Sequence, residues 1–117
     1  MSEKTIYELT NEVIKSLVPA TVTTNEALTG MTYFLNPKQR LCKVVLTKKA
    51  LRLECNIELS EKLIKELEKD KTVLTVEIIT KEIAKKKKYG TMKNLVTAID
   101  TSCVNKIIKE MLATYSK

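Results

Sequence analysis

The chain has 117 residues and 21 Lys and Arg against 14 Asp and Glu, a net charge of +7, with no histidine, no tryptophan, one Phe and four Tyr. The missing imidazole removes the commonest general base and the commonest neutral metal ligand. No apolar run approaches the ~20 residues of a membrane span, so no membrane partner is expected. An apolar fraction of 44% with 30% charged residues suits one core in one domain over residues 1–117.

The first element is a helix. Thr5 and Glu8 make a T-x-x-E capping box, and Pro19 stops the run. Ile6, Leu9, Val13 and Leu17 form the expected apolar face, with Ile14 and Val18 beside it and Asn11, Glu12 and Lys15 off it. Residues 19–30 are a Thr-rich connection, long enough to be a functional loop or to hide a short strand at 21–24. Residues 31–35 read as a strand, and Asn36-Pro37-Lys38 as a turn in which Pro37 pre-sets φ. Residues 41–47 are apolar on both faces, as in a central strand. After Lys48-Lys49 comes a strand over 50–57, with Leu51, Leu53, Cys55 and Ile57 inward and Arg52, Glu54 and Asn56 outward.

Ser60 caps a second helix over 61–69, with Leu59 and Ile64 as a hydrophobic staple. Residues 72–80 form a β-branched strand. A Lys-rich segment over 81–93 interrupts before the strand 94–99. Asp100 or Thr101 caps the last helix, where Val104, Ile107, Ile108, Met111, Leu112 and Tyr115 repeat at helical spacing. The order α-β-β-β-α-β-β-α predicts an α+β fold: a single, mostly antiparallel sheet with helices packed on one face.

Charge is uneven along this pattern. Residues 1–40 balance, whereas residues 81–117 carry nine Lys against three acids. The densest point is Lys85, Lys86, Lys87 and Lys88, followed by Tyr89, with Lys93 a few residues on. A concentrated basic patch is the footprint of a polyanion partner. The run reads as a loop or hairpin arm on DNA or RNA backbone, with Tyr89 stacking on a base, or as a solvated connection, or as a contact for an acidic protein surface. With only Arg40 and Arg52 able to make bidentate contacts, binding is expected to ignore sequence.

Other chemistry finds little to work with. Cys42, Cys55 and Cys103 are odd in number, widely spaced and without a CxxC, which fits free thiols in a reducing, cytoplasmic setting and no structural zinc. Cys55 reads as a small core residue. Cys103, in the first turn of a helix, is where a thiol pKa can fall, but its spacing from Val104 and Ile107 makes a half-buried role the default reading. Gly30 and Gly90 are the only glycines, so no phosphate-binding glycine motif exists. No acid is followed two positions later by Lys, as a two-metal nuclease would need. No catalytic residue, cofactor or metal is expected.

Residues 44–56, from Val44-Val45-Leu46-Thr47 to Leu53-Glu54-Cys55-Asn56, and the ending from Tyr89-Gly90-Thr91 to Ala113-Thr114-Tyr115-Ser116 resemble an uncharacterised bacterial and archaeal domain family labelled "predicted transport protein". Lys88-Tyr89-Gly90-Thr91 stands where that family has His-Trp-Gly-Thr, and Met92-Lys93-Asn94 where it has Gly-Asp, so no family site is carried over. The ending is also similar to small double-wing proteins of frataxin-like layout for which DNA binding is suspected. Both resemblances imply an α+β fold. The expected function is a small non-enzymatic binding module for nucleic-acid phosphates. The alternative is a protein-interaction or self-association domain, using the outward face of 50–57 or an edge strand.

Overall fold

Thr5 opens the first helix as its spacing predicts: its hydroxyl oxygen accepts from the Glu8 N–H at 3.2 Å, and α1 runs Ile6–Leu17. The computed structural model describes residues 5–47 and 50–116, and the Lys48-Lys49 connection lies outside them. After α1 come β1 (Thr23–Ala27), β2 (Gly30–Asn36), β3 (Gln39–Val45) and β4 (Leu51–Cys55). Then follow α2 (Glu61–Lys69), β5 (Val73–Ile78), α3 (Lys81–Lys87), β6 (Asn94–Ala98) and α4 (Val104–Tyr115). The six strands form one antiparallel sheet in the order β1-β2-β3-β4-β6-β5, so the fold is α+β with a single sheet.

Two elements extend the predicted order. The strand sought at 21–24 is β1, shifted to Thr23–Ala27 and exposed along its whole length. The Lys-rich segment, expected as a loop or hairpin arm, is instead the helix α3. Thr80 caps it through the Ile83 N–H at 3.2 Å, and Lys88 ends it in the left-handed region at φ 57°. Four consecutive lysines hide this helix, because its apolar side reduces to Ile83 and Ala84.

The core lies on one face of the sheet. Met31 and Tyr33 of β2, Cys42 and Val44 of β3, Leu51, Leu53 and Cys55 of β4, and Val96 and Ala98 of β6 are buried there. Ile14 of α1, Leu63 and Leu67 of α2, and Val104, Ile107, Ile108 and Met111 of α4 cover them. Helix α3 is the exception to one-sided packing. Leu95 alternates with Val96 along β6, points to the other face, and makes a small second cluster with Ile79 and Met92 on which Ile83, Ala84 and Tyr89 pack.

The α1 face is rotated from its predicted setting. Leu9 is 42% exposed, whereas Thr10 and Asn11 are buried. Both polar residues are satisfied: the Thr10 hydroxyl donates to the Ile6 carbonyl at 2.6 Å, and the Tyr33 hydroxyl donates to Asn11 Oδ1 at 2.7 Å. A polar side chain facing the core needs such a partner, and hydrophobic periodicity does not reveal one. The start of β3 departs from regular pairing as well. Tyr33 opposes Cys42 while Phe34 opposes Arg40, so Leu41 is the extra residue of a β-bulge and joins the core. Gly30 permits the close approach of β2 to β3, since a Cβ there would sit 2.1 Å from the Val44 carbonyl oxygen.

Tyr33→Phe leaves Asn11 Oδ1 buried without its donor. The expected cost is about 1–3 kcal/mol, read as a lower urea midpoint at unchanged slope. An unchanged midpoint would show that the Tyr33–Asn11 bond does not hold α1 to the sheet.

Candidate nucleic-acid interface

Three chain segments meet at one end of the sheet. The first is the β2–β3 hairpin. Asn36 Oδ1 accepts from the Lys38 N–H at 2.9 Å, closing the turn over Pro37, and Asn36 Nδ2 donates to the Tyr115 hydroxyl at 2.6 Å, tying the hairpin to the last turn of α4. The bulge at Leu41 lets Arg40 stay opposite Phe34, with the guanidinium carbon 5.6 Å from the ring centroid. The second is the end of β4, where the Asn56 N–H donates to the Leu41 carbonyl at 3.1 Å. The third is the α3–β6 turn. Gly90 takes φ 64° there, and Asn56 Nδ2 donates to Thr91 Oγ1 at 3.0 Å. The Lys93 backbone closes the junction: its N–H donates to the Cys55 carbonyl at 2.7 Å and its carbonyl accepts from Ile79 at 2.9 Å.

A cleft of about 630 Å³ lies between these segments. The hairpin contributes Phe34, Pro37, Lys38 and Arg40 to its walls. Asn56, Gly90, Thr91 and Lys93 face them. A second recess of about 300 Å³ shares Gly90 and Lys93 and extends along α3 past Lys81 and Lys85. Adjoining at Gly90 and Lys93, the two form a groove lined by Lys38, Arg40, Lys93, Lys81 and Lys85, and among the described residues no carboxylate lines it.

The residues expected from sequence divide around this groove. Lys85 and Lys93 line it. Lys86 lies beside Glu82 and Ile83 in a separate surface depression. Lys87 Nζ sits 5.9 Å from the centre of the Tyr89 ring, and Lys88 is the exposed helix cap. Tyr89 is half-buried against the Ile79, Met92 and Leu95 cluster, which ties up much of the ring that was expected to stack on a base. Sequence reading passed over Lys38, Lys81, Phe34, Asn56 and Thr91. Residues 1–40 are neutral overall, so charge counting gave no reason to bring Lys38 and Arg40 to the basic third of the chain. Arg52 lines neither recess; it pairs with Val45 and Thr97 farther along β4, its Nε buried without a hydrogen-bond partner.

The three thiols are buried. Cys42 and Cys55 are cross-strand neighbours, and burial raises both thiol pKa values, Cys42 further raised by Cys55 and Cys55 by Cys103 and Glu54. Cys103 was expected where a helix start lowers a thiol pKa. It sits just before α4 without a side-chain cap bond, and burial, with Asp70 next in weight, pushes it up to about 11. Neither Asp100 nor Thr101 caps α4; Asp100 instead closes a turn by accepting from the Ser102 N–H at 2.9 Å. No group of three or more Cys, Asp or Glu among the described residues is placed to hold a metal ion, and no described helix is long and apolar enough to cross a membrane.

No protein-family model, curated protein or solved structure matches the chain, and nothing in these comparisons bears on the resemblances seen in its sequence.

The thiols give a signed pH dependence. The folded state holds the Cys103 proton more tightly than the unfolded chain does. The stability this contributes is fully present below the ordinary thiol value of 9.0 and is lost as pH rises toward about 11. The urea midpoint should therefore fall over that window, and less so in Cys103→Ala. Iodoacetamide at about pH 8 should leave all three thiols of the native protein unmodified and label them all in denaturant. Rapid native labelling of Cys103 alone would show that burial leaves its thiol reactive.

Proposed function

We propose that the protein is a small non-enzymatic module that binds the phosphate backbone of nucleic acid without sequence preference, through the groove and the flanking lysines Lys86, Lys87 and Lys88. One observation carries this reading: five cations from two stretches distant in sequence, the β2–β3 hairpin and α3 with the turn after it, line a groove that no described carboxylate enters. Like charges gathered at a common recess raise a positive potential that draws a polyanion, which gains by releasing its counterions. The cations are mostly Lys, which meet phosphate as point charges and read no base edges. The resemblance of the ending to double-wing proteins runs in the same direction.

With about four phosphates contacted, affinity for a short labelled DNA should fall roughly 100-fold between about 50 and 200 mM salt. Changing Lys38, Arg40 and Lys93 together to Gln should weaken binding equally across sequences and reduce the salt slope by about two units, if each holds one phosphate of a single strand. Changing Lys85, Lys86, Lys87 and Lys88 to Gln tests the α3 side in the same way. Absence of binding to any strand at low salt would make these lysines a solvated surface.

A second reading rests on β5. It is an edge strand with one neighbour, and it exposes Leu74 and Ile78 by 57% and 58%. An unpaired edge carrying apolar side chains is a template for strand addition by a protein partner or a second copy. Self-association there predicts a sedimentation coefficient that rises with concentration and is flattened by Leu74→Lys. A constant monomer value removes it.

A further inference from the structure

We infer, resting on the nucleic-acid reading above, that the cleft between Phe34 and Thr91 seats an unpaired nucleobase, so that the ligand is a single strand and not a duplex. The wall formed by the β2–β3 hairpin is flat and polarisable. Phe34 is half-buried in it, and the Arg40 guanidinium lies over the ring at 5.6 Å from its centroid. Aromatic rings and guanidinium planes are the two protein surfaces on which unstacked bases rest. The facing wall is polar. Asn56 and Thr91 line it, held to each other by the 3.0 Å bond, and both side chains can donate and accept at a base edge. Gly90 lines the space between the walls, where a Cβ would meet nothing within 4 Å. A volume of about 630 Å³ lies within the usual range of sites that enclose small organic groups.

The placement of charge selects the strand form. Lys38 and Lys93 are exposed and line the same cleft as Phe34, so phosphates flanking a seated base have cations on both sides. Lys93 also lines the recess that leads to Lys81 and Lys85, which continues the backbone path along α3. A duplex keeps its bases paired and stacked, so it can offer a recess only its phosphates. Here the cations line a recess, and the apolar side of α3 is occupied by its own small cluster. Only a strand whose bases are free to leave the stack can fill such a recess.

The test is fluorescence anisotropy at one low salt concentration with three labelled probes: a strand of about twelve thymidylates, an abasic-spacer strand of equal length, and a duplex of equal length. The thymidylate strand should bind ~5- to 100-fold more tightly than the abasic strand, and more tightly than the duplex. Phe34→Leu, which keeps an apolar side chain on the sheet, should bring thymidylate binding down to the abasic level without changing the other two probes or the salt slope. Arg40→Lys keeps the charge and removes the plane, and should lose part of the same preference. Equal binding of abasic and thymidylate strands with a normal salt slope would overturn the base seat and leave the phosphate reading standing. Displacement of the strand by thymidine monophosphate at equal concentration would overturn the strand assignment in favour of a mononucleotide site. Failure of all three probes to bind would remove both readings.

Discussion

The position of β6 in the sheet is the constraint on which the candidate site depends. Chain order would place β5 beside β4, yet β6 lies between them, antiparallel to both. The strands β4 and β5 therefore run parallel with α2 as their crossover, a split β-α-β unit. The chain must then turn back through α3 to fill the central slot. The Lys93 backbone bonds to Cys55 on one side and to Ile79 on the other, which fixes the α3–β6 turn against the end of β4. Because β3 pairs with the other edge of β4, the same end of the sheet also holds the β2–β3 hairpin. Three segments distant in sequence thus converge without any of them being long or flexible.

Much of the fold was legible because its elements carry local signals. The caps at Thr5 and Ser60, the alternation from Leu51 to Cys55, and the helical spacing from Val104 to Met111 each encode an element without tertiary information. What escaped was whatever depends on a distant partner. Asn11 looks like a solvent residue until Tyr33 is placed opposite it. Helix α3 looks like a charged loop until Leu95, Ile79 and Met92 supply the surface for Ile83 and Ala84. The groove was half legible. Its lysines on the α3 side stand out in composition, whereas Lys38 and Arg40 come from a neutral stretch and become part of a basic surface only through sheet order.

The electrostatics of the groove and the packing of the core are separable. The main cluster is apolar and shields its three thiols, and none of the groove cations belongs to it. The groove stands on rigid strand ends whose positions are set by that core, while its charged heads remain in water. Exposed cations screened over a Debye length of about 8 Å at physiological salt cost the fold little. The same charges gain when a polyanion brings its phosphates close and releases its counterions. Substitutions in the groove should thus change binding far more than folding, and core substitutions the reverse.

The bulge at Leu41 joins these two halves of the molecule. A regular β3 would place Leu41 opposite Phe34, on the open face, and turn Arg40 toward the core side. The extra residue sends Leu41 inward, where it is wholly buried, and leaves Arg40 opposite Phe34 on the open face. The same residue's carbonyl accepts the Asn56 N–H, whose side chain in turn holds Thr91. One irregularity in one strand therefore sets the Phe34–Arg40 wall and anchors the residue that fixes the wall facing it. Bulges of this kind re-aim side chains at sheet ends, and here the re-aimed residue is the only arginine lining the groove among the described residues. The cleft's charge and its flat stacking surface both follow from where the register of β3 slips.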